Sequence, residues 1–308
     1  MYIRMSGTQK ELKAGYVAIV GEPNVGKSTL MNALLGQKIS IVTKRPQTTR
    51  QRVLGILSRD NAQIIFLDTP GLLKPKYLLH ERMIQSAEIA LRDADVILVL
   101  TEISRGAELP EPVREGVLTK YRSKPLFLII NKVDTVDRRE ALPIIDTFAK
   151  EGVFKEIIPI SALKAENLDD LLATVVKELP EHPPFYPTDI VSEHPERFFV
   201  AELIRERIFE QFRDEIPYST AVAIREYRER EERKTFIAAD IIVERDSQKG
   251  ILIGNKGEAL RHVGQGARRE IELFLGRPIF LELLVKVGEK WREDEGWLKR
   301  LGYSAEGE

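Results

Sequence analysis

No cysteine occurs in the 308 residues, which excludes disulfides, thiolate zinc sites and a cysteine nucleophile together. Histidine is scarce, four in all and scattered, so no histidine cluster offers a metal site. No run reaches about 18 apolar residues, and the opening MYIRMSGTQKELKAGY lacks the apolar core of a signal peptide. A soluble chain that is not exported is therefore expected. Net charge is nearly absent as well: 47 Lys and Arg against 48 Asp and Glu leave −1. Bulk electrostatics gives no pull toward nucleic acid, and any such binding needs a local patch. What is present in quantity is charge of both signs, 31% of residues against roughly 25% in average domains, a surplus shared with thermophilic ion-pair networks.

The length suits roughly two domains. Through residue 178, apolar runs (YVAIVG, AQIIFLDT, DVILVLT, PLFLIINK, EIIPISA) alternate with helical or loop segments. Buried strands separated by helices predict an α/β domain with a mostly parallel, doubly wound sheet over 1–179, its core at about 14–178. Residues 180–195 hold Pro180, Pro183, Pro184, Pro187 and Pro195, which suit neither helix nor strand interior and read as a linker. From 196 to 308 the order changes to helix, strand, strand, helix, glycine loop, helix, strand, with a last charged helix in EKWREDEGWLKRLGY. A small α+β domain is predicted, its strands STAVAIREYRER and KTFIAADIIVERD joined by the turn EERK.

GEPNVGKS, Gly21 to Ser28, is a complete G-x-x-x-x-G-K-S loop between a predicted strand and a predicted helix. Gly21, Glu22, Pro23, Asn24, Val25, Gly26, Lys27, Ser28 and Thr29 would wrap phosphates with backbone N–H groups and a helix N-terminus. Lys27 would bridge the β- and γ-phosphates, and Ser28 would hold Mg²⁺. DTPG, Asp68, Thr69, Pro70 and Gly71, follows the strand IIFL; Asp68 would reach Mg²⁺ through water and the Gly71 N–H would meet the γ-phosphate. NKVD brings Asn131, Lys132 and Asp134 to a strand's carboxyl end, where doubly wound sheets bind ligands. Asp134 could accept from the N1–H and 2-amino group of guanine, while adenine would leave the carboxylate unpaired. Ser161, Ala162 and Leu163 end the next strand, and the Ala162 N–H suits the guanine O6.

This order of motifs, over about 160 residues, resembles the translation-factor class of GTPases. In PQTTR, 46–50, a threonine of the first switch would complete the Mg²⁺ shell; Thr49 is favoured and Thr48 remains a candidate. Lys27, Thr49 and Gly71 are then the residues expected to act on the γ-phosphate, with Ser28, Thr49 and Asp68 around the metal. Leu72 stands where Ras-like GTPases carry the glutamine that orients water, so slow intrinsic hydrolysis is expected. Asn24 is shared with relatives that use K⁺ in place of an arginine finger, which makes K⁺ a further candidate cofactor beside GTP, GDP and Mg²⁺.

A second glycine loop, GNKG at 254–257, is weak by itself, since average glycine content yields about one G-x-x-G per chain of this size. It follows ILI and opens an amphipathic helix in which Leu260, Val263, Ala267, Ile271, Phe274 and Leu275 share a face. That context resembles a type II KH fold, whose loop clamps single-stranded nucleotides. Ile253, Gly254, Asn255, Lys256, Gly257, Arg261 and Arg268 are the expected RNA contacts, with Lys249, His262 and Arg269 nearby.

A GTPase domain followed by a type II KH domain resembles the Era family of bacterial GTPases, from Tyr16 to about Tyr303. The resemblance implies GTP hydrolysis, binding of the 3′ end of 16S rRNA, and a role in maturing the small (30S) ribosomal subunit. It also implies a cytoplasmic, monomeric protein with some peripheral contact to the inner membrane surface. Two other readings fit parts of the sequence. An ATP-dependent kinase or ATPase conflicts with NKVD and SAL; a protein-binding adaptor would use the second domain without RNA.

Overall fold

The computed structural model describes residues 12–72, 74–229 and 234–303. The first unit is built from β1 (Lys13–Gly21), α1 (Lys27–Leu35), β2 (Val53–Arg59), β3 (Ala62–Asp68), α2 (Leu78–Asp93), β4 (Val96–Glu102) and α3 (Glu111–Val113), which runs on into π-helical turns at Arg114–Thr119. It continues with β5 (Leu126–Asn131), α4 (Arg138–Glu151), β6 (Glu156–Pro159) and α5 (Leu168–Glu178). Its six strands lie in the order β2-β3-β1-β4-β5-β6, all parallel except β2, which pairs antiparallel with β3. Central strands are apolar on both faces because helices cover both. In β1, Val17 and Ile19 pack with Leu30 and Met31 of α1 and Leu171 and Val175 of α5, while Ala18 and Val20 face Ala87 and Leu91 of α2 and Phe148 of α4.

The expected strands are all present, and β2 is an addition. Its short run VLGILSR is interrupted by Gly55, which hides a strand in the sequence. A Cβ at Gly55 would lie 2.5 Å from Leu35 and 2.6 Å from Met31, so the glycine lets α1 lie close on this edge strand.

The segment after residue 179 first touches the start of β1, then passes β3 and reaches the β2 edge. Ala14 N donates to Pro180 O at 3.1 Å and Ile56 N to Val191 O at 2.7 Å. The buried Gln63 side chain accepts from Phe185 N and Tyr186 N and donates to Tyr186 O at 2.8 Å. The prolines forbid a regular strand, yet the segment satisfies part of the exposed edge that β2 would otherwise offer to another chain.

The second unit comprises α6 (Glu196–Gln211), β7 (Ala221–Arg228), β8 (Thr235–Val243), α7 (Asp246–Ile253), α8 (Glu258–Leu275), β9 (Ile279–Val287) and α9 (Glu295–Arg300). The three-stranded sheet has order β7-β8-β9, with β7–β8 antiparallel and β8–β9 parallel. Val200, Leu203 and Ile208 of α6 and Val263, Ala267 and Ile271 of α8 cover Ile237, Ala239 and Ile241. This is the α-β-β-α-α-β order expected for a type II KH fold. Most of the EERK turn lies outside the described residues.

The last helix is shorter than the sequence suggests. Asp294 accepts from Trp297 N at 2.7 Å and caps a six-residue α9, leaving Trp291 ahead of it, fully buried. Trp291 instead joins Leu298, Tyr303 and Ile242 in an apolar cluster with Leu79 and Met83 of α2. The two units therefore share a packed interface.

Candidate nucleotide site and RNA interface

β1 lies between β3 and β4, so successive connections leave it in opposite directions, and a crevice opens at the strands' carboxyl ends. The four motifs of the first unit follow β1, β3, β5 and β6 there. Gly26, at φ 100°, turns the chain into α1. A Cβ on it would sit 2.3 Å from the Asn131 amide, so the phosphate loop and NKVD touch only because this residue is glycine. Asn131 Nδ2 donates to Val25 O at 2.8 Å, and its Oδ1 accepts from Ala162 N at 3.0 Å. One side chain thus joins three motifs. Lys132 Nζ adds a bond to Asn24 O at 2.9 Å and an ion pair with Glu102.

At the far end, Ser161 Oγ donates to Asp134 Oδ1 at 2.7 Å and fixes the carboxylate plane. The crevice is lined by Pro23, Asn24, Gly26, Lys27, Ser28, Thr29, Thr49, Gly71, Asn131, Lys132, Asp134 and Leu163, and also by residues 41–45, Gln47, Thr48 and Thr135. Several expected residues do not present side chains to it. Glu22 pairs with Arg105 at 2.6 Å, Val25 is buried in the core, and Thr69 Oγ1 donates to Ile19 O at 2.9 Å. Such residues can meet a ligand through backbone groups alone.

Lys27 is buried, with Nζ donating to Gly21 O at 3.1 Å and Glu22 O at 2.8 Å. Burial lowers its pKa to about 8, against the pull of Asp68 and Glu22. The Asp68 carboxylate is fully buried and neither oxygen makes a hydrogen bond of ordinary geometry. Burial raises its pKa, opposed by Lys27 and by the nearby hydroxyls of Ser28, Ser40 and Thr49. Ser28 Oγ and Thr49 Oγ1 are 2.9 Å apart, whereas Thr48 Oγ1 turns back to Arg45 O at 2.8 Å. An unsatisfied buried carboxylate beside two hydroxyls is a hard oxygen donor set that suits Mg²⁺ and its waters.

Sequence reading missed how this crevice is joined to the second unit. Arg205, from α6, donates to Thr48 O. Arg50 is buried and donates to the carbonyls of Pro217 at 3.0 Å, Tyr218 at 2.9 Å and Thr220 at 2.7 Å. Its guanidinium also lies 5.7 Å from the Trp291 ring centroid and 5.9 Å from that of Phe209. Val42 N donates to the buried Glu206 at 3.0 Å, and Leu79 N to Arg292 O at 3.0 Å. Partners more than 150 residues away leave no local pattern in the sequence.

In the second unit, α7 ends at Gly254 (φ 70°), and Lys256 (φ 49°) and Gly257 (φ 80°) continue in left-handed backbone before α8. A Cβ at Gly254 would meet the Ala259 Cβ at 2.6 Å. Asn255 and Lys256 are exposed at the tip. Arg261, Gly264 and Arg268 recur on one side of α8, and Gly264 faces Leu283 of the edge strand β9. A strip between α8 and β9 thus begins at the loop, with Arg261 exposed and Ile253 half-buried. Arg268 is less available, because it pairs with Glu272 at 2.9 Å.

Comparison with known proteins agrees with this architecture. Residues 16–132 match a family described as 50S ribosome-binding GTPase, and residues 215–292 match the KH domain. GTPase Era of Geotalea daltonii is 45% identical over 296 residues, spanning 96% of this chain and 99% of that protein. The chloroplastic GTPase ERA1 of Zea mays is 44% identical over 296 residues, covering 71% of its own length. Among solved structures, a variant of Aquifex aeolicus Era bound to GDP and AlF4⁻ matches with TM-score 0.91 and 43% identity over 95% of this chain and 100% of that one. A complex of Era with MgGDPNP and nucleotides 1506–1542 of 16S ribosomal RNA gives TM-score 0.91 and 44% identity, over 95% and 99%. With two domains in this order and likeness over nearly its whole length, the chain belongs to the Era family of GTPases.

Proposed function

We propose that this GTPase binds the single-stranded 3′ end of 16S rRNA along the loop 254–257 and the strip between α8 and β9, and acts in 30S subunit assembly as a nucleotide-controlled switch. Phosphates would be held by residues 21–29, guanine by Asp134 and the Ala162 N–H, and Mg²⁺ by Ser28 and Thr49 with Asp68 behind its waters. Bound Mg²⁺ would neutralise charge on the β- and γ-phosphates. K⁺ beside the phosphates would take the Asn24 Oδ1 as a ligand; the same side chain's Nδ2 donates to Lys44 O at 3.3 Å and so ties it to the first switch.

One observation carries the switch. Three consecutive residues join the nucleotide crevice to the KH unit: Thr49 lies against Ser28, Thr48 O accepts from Arg205, and Arg50 is held by the carbonyls of Pro217, Tyr218 and Thr220. Loss of the γ-phosphate releases this segment in switch GTPases, and here it could not move without disturbing buried bonds of the KH unit. The test is the affinity of an rRNA 3′-end oligonucleotide for apo, GDP and GTP-analogue forms. A difference of at least fivefold between the last two supports the switch, and equal affinities overturn it. Gly254→Asp or Lys256→Glu should weaken RNA binding in every state, and intact affinity would remove the loop 254–257 from the RNA site.

A monomer in the cytoplasm, touching the membrane peripherally, is the family-level expectation carried with this reading. Sizing chromatography and flotation with anionic vesicles test it; no described helix is long and apolar enough to cross a bilayer.

A further inference from the structure

Leu72 leaves the position after DTPG without a polar side chain, so the group that assists γ-phosphate loss must come from elsewhere. Gln47 lines the crevice from the opposite switch. It sits at φ 61° in a turn after Pro46, a third-position conformation that ordinarily selects Gly or Asn. A long amide retained there at a conformational cost points to use of the side chain. Its direction is set by His80. That ring is buried, and its Nδ1 accepts from Lys76 N at 3.3 Å, which leaves the proton on Nε2. Nε2 lies 3.2 Å from Gln47 Oε1 and donates to it. With Oε1 committed to His80, the NH2 of Gln47 is what remains for the crevice.

We infer that Gln47 supplies the donor missing at Leu72, directing its amide N–H groups at the γ-phosphate oxygens or the attacking water as GTP hydrolyses, and that His80 is a positioning residue acting through it. The segments 44–50 and 68–80, the two expected switches, would then be joined at the reacting centre by one neutral hydrogen bond. A donor effective only as charge develops lowers the barrier without tightening ground-state binding.

The experiment compares single-turnover hydrolysis with affinity for a GTP analogue and for GDP–AlF4⁻. Gln47→Ala should slow hydrolysis about 100- to 1,000-fold, leave GTP-analogue affinity within about threefold, and weaken GDP–AlF4⁻ binding in proportion to the rate. His80→Phe, which fills the space without a donor, should lose part of that rate. His80→Asn, which keeps an N–H, should recover some of it and covers the case in which phenylalanine is not accommodated. In the Gln47→Ala background, His80→Phe should cost nothing further. A Gln47→Ala rate within twofold of the parent overturns the inference, as does a His80→Phe loss that is equally large with and without Gln47.

Discussion

The Asn131 side chain donates to Val25 O at 2.8 Å while accepting from Ala162 N, so the phosphate loop and the guanine end of the crevice are fastened by one buried amide. Asn131→Ala leaves a buried carbonyl and a buried N–H unpaired. A loss of about 1–3 kcal/mol, or roughly 5- to 150-fold in GDP affinity, is expected from fluorescent-nucleotide titration, with the melting temperature also lowered.

In the proposed function Asp134 accepts from guanine's N1–H, and Ser161 Oγ donates to its Oδ1 at 2.7 Å. Asp134→Asn replaces an acceptor oxygen with an amide donor that suits a carbonyl in place of the 2-amino group. GTP affinity should fall by at least tenfold and xanthosine triphosphate should become the better ligand in competition binding. Unchanged GTP affinity would refute the guanine assignment.

Lys27 gives binding a pH dependence. Its pKa in the free protein is lowered to about 8, and phosphate favours the charged form, raising the pKa on binding. Affinity should be greatest below pH 8 and decline as pH rises past it. At pH 8.5, calorimetry in buffers of different ionisation enthalpy should register proton uptake on GDP binding that vanishes at pH 6.5.

Arg50 is a buried cation with carbonyl partners. Arg50→Met keeps much of the apolar stem but abandons three carbonyls, which should cost about 2–4 kcal/mol of stability. RNA affinity in the GDP and GTP-analogue states should converge, while nucleotide affinity changes less than threefold. A variant that retains the full difference between states would move the coupling to Glu206 and Arg292.

His80 should make the fold acid-sensitive. Burial, with Arg292, Arg50 and Lys76 nearby, lowers its pKa to about 4 from 6.5, and Tyr77 packs on its ring at 3.8 Å. The unfolded chain binds the proton first, so the stability from keeping this ring neutral is whole above pH 6.5. It is lost between pH 6.5 and pH 4, on the order of 2–3 kcal/mol. Thermal melts should show a steeper decline over that range for the parent than for His80→Phe.

The nucleotide motifs were legible because each is contiguous and its spacing is set by phosphate or base geometry; GEPNVGKS and NKVD needed no tertiary information. The KH unit was legible from element order. The strand β2 was not, since Gly55 breaks its apolar run for the sake of α1 packing. Nor was the end of the chain, where KWREDEGWLKR reads as one helix until Asp294 caps the later half and Trp291 is drawn into the interface. Arg50 with Thr220, and Gln63 with Phe185 and Tyr186, are meetings of residues more than a hundred positions apart. Nothing local distinguishes that arginine or glutamine from a solvated one.

The segment that Gln63 grips has a mechanical consequence. Backbone ties reach from Pro180 to Val191, and Ser192 Oγ still donates to Leu54 O at 2.5 Å. The chain stays pinned up to the start of α6, since Glu193 accepts from the Tyr186 hydroxyl at 3.0 Å, His194 N donates to Ser192 Oγ at 3.4 Å and the His194 ring stacks on Phe198. A connection held this closely carries any shift of the β2 edge straight into the first turn of α6, where Phe198 and Phe199 pack with the first unit's core.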